Sequence, residues 1–303
     1  MKKVNKGLYL VLGTALISGV SVFLNKFAVS TVSNSDIFTT SKNLIVGIIL
    51  TALIVTPFLF NKLRKIAKDD WVKLGLIGII GGSVPFLLFF KGLSMTSATS
   101  AAFIHKTLFV WVSLLAIWFL KEKIGKLQYL ALALLFLGNL ALLGFKFFNY
   151  GYGELLVLTA TLMWTIEFVI AKKVLKNVAS EIVAWARMFF GSMILLAYLS
   201  ATGQIHTLVS LNLNQWIWVI ISSVLLLGYV LTWYKALKYL PTVTVTSILV
   251  LASPITTSLE IISSHKFNIY QIGGSCLITL ACILIIYSVR KIKDVQVNSP
   301  KFN

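Results

Sequence analysis

Acidic residues are scarce in this chain: nine Asp and Glu stand against 27 Lys and Arg among 303 residues, with only three His. Chemistry by paired carboxylates or histidines wants such groups clustered, and here they are spread apart, so no catalytic set is expected. The two cysteines, Cys276 and Cys282, are six residues apart, which on one helix is about 9 Å along the axis. No disulfide closes across that gap. No CxxC or HExxH spacing occurs, so no metal site or bound cofactor is expected. The phosphate-binding pattern GxxxxGK[ST] is also missing, which argues against primary active transport by this chain alone. No stretch rich in Pro, Gly or Ser and no low-complexity block marks off a soluble domain.

What is present is apolar. Hydrophobic residues make up 58% of the chain, charged residues 12%, and the mean hydropathy is +0.92. That exceeds what a soluble core requires and points to a multi-spanning protein of the cell membrane. The net charge of +18 falls in short clusters between apolar runs rather than on one face, so nucleic acid is not an expected partner. Lys2, Lys3 and Lys6 precede the run Gly7–Val29 as in a secretory signal. That run exceeds the ~7–15 apolar residues of a signal core and ends at Asn25 and Lys26 without a small-residue cleavage site. It reads as the first of ten spanning helices. The others are Asp36–Phe60, Val72–Leu93, Ser97–Leu120, Leu127–Phe145, Gly153–Leu175, Ile182–Ala201, Gln215–Tyr239, Val243–Ser263 and Ile269–Val289.

The chain repeats itself. At an offset of 146, Gly7, Leu10, Leu16 and Lys26 match Gly153, Leu156, Leu162 and Lys172. At 145, Asp36 and Lys42 face Glu181 and Arg187, and Trp71 faces Trp216; at 144, Lys91 and Ile104 face Lys235 and Ile248. The expected division is a first half over residues 1–146, a second over 147–289 and a basic tail over 290–303. Five helices is an odd number, so the halves enter the membrane from opposite sides. The charges agree. With the amino terminus taken as cytoplasmic, inside segments hold 20 of the 27 basic residues, and the outside holds Lys146 and Lys266. This is a positive-inside bias. Both termini are therefore expected in the cytoplasm.

Ten helices in two inverted halves resemble the EamA branch of the drug/metabolite transporter superfamily. The marks here are Trp164 in the sixth run, YKALKYLP from Tyr234 to Pro241, Pro254 within the ninth run, and Glu122 after the fourth. The chain departs from that pattern at Ser18, at Phe109 and Val110, and at His265 and Lys266. The resemblance implies an all-α carrier of small metabolites, often an exporter, with a cavity between the halves lined by the third, fourth, eighth and ninth helices. It also implies Trp164 as a residue of that cavity.

Charges inside the membrane sort by access to water. Lys26, Lys42, Lys91 and Arg187 lie within about two turns of a helix end, where long basic side chains can snorkel to the headgroups. Lys106 and Glu167 are the ones that cannot easily escape. A lysine at a helix centre costs roughly 2.5 to 3.5 kcal/mol, so Lys106 is expected to face a cavity and meet substrate. His105 reads either as a packed neutral imidazole or as a second substrate contact. Tyr229 and Trp233 share a stripe with Ser222 and Leu226, a packing face that the resemblance turns into a binding wall. Glu167 is the expected coupling carboxylate. Lys106 and Glu167 lie about 4 Å on either side of the midplane, so their side chains could meet and exchange partners with substrate; the alternatives are a permanent structural pair or two residues on unrelated faces. Pro85 and Pro254 are expected to break their helices and free carbonyls.

These readings favour a secondary transporter exporting a small metabolite, anionic or carboxylate-bearing, driven by a proton or substrate gradient. Its expected partners are that metabolite, the lipid bilayer and, in a homodimer, a second copy of the chain. A membrane-embedded enzyme, or a non-transporting scaffold or sensor, are the alternatives.

Overall fold

The computed structural model describes residues 2–93, 95–96, 98–142, 151–265 and 268–298. Ser97, Phe145, Lys146, Lys266 and Lys301, all used in the reading above, lie outside the described residues. Fifteen α-helices and no strand occur among the described residues: α1 (Lys2–Val32), α2 (Ser35–Ile54), α3 (Pro57–Leu63), α4 (Lys68–Gly82), α5 (Val84–Leu93), α6 (Ala98–Lys106), α7 (Leu108–Leu120), α8 (Lys126–Leu142), α9 (Tyr152–Val174), α10 (Ser180–Ala201), α11 (Ile205–Val209), α12 (Leu213–Tyr239), α13 (Thr242–Leu249), α14 (Ala252–Ser264) and α15 (Ile269–Asn298). Among the described residues, nine continuous or broken helices are long and apolar enough to cross a membrane, and Lys126–Leu142 is a shorter apolar tenth. The broken spans are α4 with α5, α6 with α7, and α13 with α14. The short α3 and α11 join successive spans. An even number of crossings returns α15 to the end of the bundle where α1 begins, called here the terminal end; the opposite one is the far end.

The packing has the symmetry that the repeat implies. α1 packs on α12 and α14, and its counterpart α9 packs on α5 and α7. Likewise α2 meets α10 and α12, while α10 meets α2 and α4, and α8 pairs with α15. Exchanging the two halves maps this set of contacts onto itself. Helices in lipid gain no hydrophobic energy from touching, so close approach must come from small residues. At the crossing of α4 and α10, a Cβ on Gly82 would stand 2.1 Å from the Arg187 carbonyl oxygen. At that of α8 and α15, a Cβ on Gly274 would stand 2.6 Å from the Gly138 oxygen. Both helix pairs need glycine there.

The breaks follow from local chemistry. Pro85 has no N–H, so the carbonyl of Gly81, four residues earlier, loses its helical partner. It accepts instead from Trp164 Nε1 at 3.1 Å, and the adjacent Gly82 carbonyl accepts from Asn43 Nδ2 at 3.3 Å. Pro254 likewise leaves the Val250 carbonyl without its i+4 donor, and that carbonyl accepts from the Ser253 N–H at 2.9 Å instead, after Val250 and Leu251 have donated to Ser247 and Ile248 in tighter i to i−3 bonds. The fourth span, expected as one unbroken helix, is interrupted at Thr107 without a proline. The Thr107 N–H is shared between Phe103 and Ile104, its Oγ1 donates to the Ile104 carbonyl at 2.6 Å, and Asn139 Nδ2 reaches the Phe103 carbonyl at 3.4 Å. Thr107 matches Leu251 at the offset of 144, so the two halves break at equivalent places. They end equivalently too: α7 and α14 stop at Lys121 and His265, each left-handed with φ 54°.

Candidate functional site

Two layers of buried polar groups lie on the inner faces of the spans, one nearer each end. Counting from helix ends at 1.5 Å per residue, both lie about 10 Å deep. α9 links them, because Trp164, Glu167 and Phe168 are spaced to share one of its faces.

The layer nearer the terminal end is built on Glu167. Its Oε1 accepts from the Tyr234 hydroxyl at 2.6 Å, and Arg187 Nη1 donates to that same hydroxyl at 3.3 Å and stands 3.6 Å from Glu167 Oε2. Glu167 and Tyr234 are fully buried and Arg187 is 5% exposed. The break in the third span makes room for this group. A Cβ on Gly81 would stand 2.6 Å from Glu167 Cγ, so a side chain there would displace the carboxylate. Above it, Trp233 packs between Phe168 at 4.6 Å and Tyr229 at 6.0 Å, the latter stacked at 5°. Among the described residues, Trp233 Nε1, Glu167 Oε2 and Arg187 Nε are buried with no hydrogen-bond partner. Buried polar atoms in native proteins normally find a partner, which sets this cluster apart from the apolar packing around it.

The layer nearer the far end is aromatic and cationic. Trp164, held by its bond to Gly81, meets His105 at 5.0 Å and Phe86 at 5.3 Å, and His105 also meets Phe89 at 5.3 Å. His105 Nδ1 is buried and has no partner. Lys106, the next residue, is half-buried, and among the described residues no carboxylate lies within ion-pair distance of it. Lys42 completes the layer. Its Nζ sits 4.7 Å from the Phe38 ring and 5.8 to 5.9 Å from those of Phe90 and Phe86.

The structure thus brings His105 and Trp164 together, and Tyr229 with Trp233, but it does not pair Lys106 with Glu167. Glu167 belongs to Arg187 and Tyr234 instead. Two of the four cations expected to snorkel, Lys42 and Arg187, are each 5% exposed and turned inward. Lys26 and Lys91 are exposed as expected. Lys42 and Arg187 face each other across the repeat at the offset of 145, but Lys26 with Lys172 and Lys91 with Lys235 do so too, so the repeat alone did not single out the two buried cations.

A groove of about 530 Å³ between α1 and α12, toward the terminal end, is lined by Asn5, Lys6, Tyr9, Leu10, Gly13 and Thr232. Tyr9 is 72% exposed there, which marks the groove as surface rather than as the interior site.

Comparison with known proteins gives the same architecture. The EamA-like transporter family model matches twice, over residues 5–144 and 151–287. An uncharacterized transporter of Bacillus subtilis, YyaM, is 24% identical over 285 residues, covering 90% of this chain and 91% of that protein. An uncharacterized transporter of Synechocystis, sll1164, is 24% identical over 258 residues, covering 79% and 72% respectively. One solved crystal structure superposes with a TM-score of 0.74 at 14% identity, over 96% of this chain and 98% of that one, a likeness of fold.

Proposed function

The chain belongs to the EamA-like transporter family, a multi-pass integral protein of the cell membrane, and we propose that it is a secondary transporter that exports a small organic anion by alternating access. The observation that carries the anionic substrate is the balance of charge in the interior. Arg187 is compensated by Glu167, whereas Lys106 has no carboxylate beside it among the described residues. An uncompensated ammonium in a low-dielectric interior is costly, and an anionic solute offsets that cost on arrival. The aromatic wall of His105, Trp164, Tyr229 and Trp233 suits a substrate with a flat or apolar body. The outward direction is taken from the resemblance, and a proton or counter-substrate gradient is the driving force in this reading.

The test is transport by purified protein in proteoliposomes, with and without an imposed pH gradient, using pooled carboxylates and phosphates against pooled amines. Anions are expected to move and amines are not. Lys106→Gln should weaken the transported anion by about 1.5 to 3 kcal/mol, the worth of a hydrogen bond to a charged group. Movement of amines alone, or an unchanged anion affinity in the variant, overturns the assignment.

A further inference from the structure

The two layers are images of one another under the repeat, and comparing them exposes what one lacks. Arg187 corresponds to Lys42 at the offset of 145. Tyr234, which bonds Arg187, corresponds at 144 to Phe90, whose ring stands 5.8 Å from Lys42 Nζ. Glu167 corresponds at 146 to Ser21. The second half therefore holds a cation, a hydroxyl and a carboxylate, and the first half keeps only the cation. Phe90 has no hydroxyl where Tyr234 has one, and Ser21 has no carboxylate where Glu167 has one. Lys42 is left 5% exposed, with three phenylalanine rings around it and, among the described residues, no carboxylate within ion-pair distance.

Aromatic faces offset part of the desolvation of an ammonium, but they leave its three N–H donors unspent. Neighbouring groups are unspent as well. Thr39 Oγ1 and Asn43 Oδ1 on the same face of α2, and His105 Nδ1 on the facing wall, are buried without partners. Phe86 lies against both Lys42 and Trp164, and Trp164 lies against His105, so one wall runs unbroken from Lys42 to the residue before Lys106.

We infer that the Lys42 cage is an anion subsite in which a carboxylate of the substrate takes the place that Glu167 occupies beside Arg187. The substrate class is then a molecule with two acidic groups on an apolar or aromatic body, one at Lys42 and the other at Lys106. This deepens the proposed function and rests on its anionic reading.

Two probes that share a ring separate the possibilities: benzoate, with one carboxylate, and terephthalate, with two. Thermal unfolding of the purified full-length chain is followed against the concentration of each. Terephthalate is expected to bind wild type about tenfold more tightly than benzoate, the least a second charge-assisted hydrogen bond supplies. Lys42→Met should erase that preference. Ser21→Glu should erase it too, by restoring the absent carboxylate while leaving the lysine in place, so a folding defect in one variant does not decide the matter. If both variants keep the preference and only Lys106→Met loses it, the Lys42 subsite is wrong and the Lys106 reading stands. If neither probe shifts the unfolding of wild type, both fall.

Discussion

A guanidinium and a carboxylate buried together are tolerable only as a pair. Removing one leaves the other charged and desolvated, which typically costs about 3 to 5 kcal/mol, whereas replacing both by apolar groups is often neutral. Glu167→Gln is therefore expected to lower stability by about that amount, and Glu167→Gln with Arg187→Met to recover most of it, measured by chemical or thermal unfolding in detergent. In the proposed mechanism the pair is also the place for the coupling step. A proton reaching Glu167 would uncouple it from Arg187 and free the guanidinium and Tyr234 to rearrange, beside the break in the third span at Gly81. In proteoliposomes Glu167→Gln should still exchange substrate across the membrane but no longer concentrate it in response to a pH gradient. A variant that still accumulates substrate removes Glu167 from the coupling role and leaves it a structural ion.

Helix ends carry the next level of control. Glu122, just past α7 in the first half, accepts from the N–H groups of Thr242 at 2.7 Å and Val243 at 3.1 Å, the free donors that open α13 in the second half. Lys172 Nζ donates to the carbonyls of Leu237 and Leu240, both at 2.6 Å, where α12 ends. An anion at a helix N-terminus and a cation at a C-terminus both complement the helix dipole. The Glu122 contact joins α7 of the first half to α13 of the second, so in the proposed alternating-access reading it is a candidate latch at the terminal end. Glu122→Ala is expected to cost about 0.5 to 2 kcal/mol, the range for a lost cap. It should also speed labelling of a single cysteine placed at the buried Thr244, read from the terminal side. An unchanged labelling rate would make the contact a cap and not a latch. At the offset of 144 the position matching Glu122 is Lys266, which cannot accept a hydrogen bond, so the same device is not repeated.

Proline marked two of the three helix breaks in advance, because a missing N–H is visible in the sequence. The break at Thr107 was not legible, since it depends on Asn139 of another helix reaching the Phe103 carbonyl. Lys42 and Arg187 misled for a related reason. Distance from a helix end says whether a long side chain can reach the headgroups, not whether its face of the helix is turned to lipid. That rotation is set by packing of α2 on α10 and of α10 on α4, which rests on contacts such as Gly82 against Arg187. Trp164 and His105, by contrast, meet in one wall from two separate spans.

At the scale of the whole molecule, the inverted halves and the basic residues make one joint statement about orientation. The connection around α3 carries Lys62, Arg64, Lys65 and Lys68, while its counterpart around α11, residues 202–214, carries no Lys or Arg. In the fold these two connections lie at opposite ends of the bundle, because α2 runs from the far end to the terminal end and α10 runs the reverse way. Positive charge is retained on the cytoplasmic side. The terminal end is therefore expected in the cytoplasm. The measurement uses single cysteines in a background with Cys276 and Cys282 replaced by alanine. Lys65→Cys and Val209→Cys are suitable positions because both are exposed, and Val209, 84% exposed, avoids Asn212, whose side chain caps α12 by accepting from Gln215. A membrane-impermeant maleimide added to intact cells should label position 209 alone, and position 65 should label only after the membrane is opened. Labelling of both positions in intact cells would contradict the inversion of the halves. Labelling of position 65 alone would keep the inversion and reverse the orientation, and with it the side from which Lys42 and Lys106 meet their substrate.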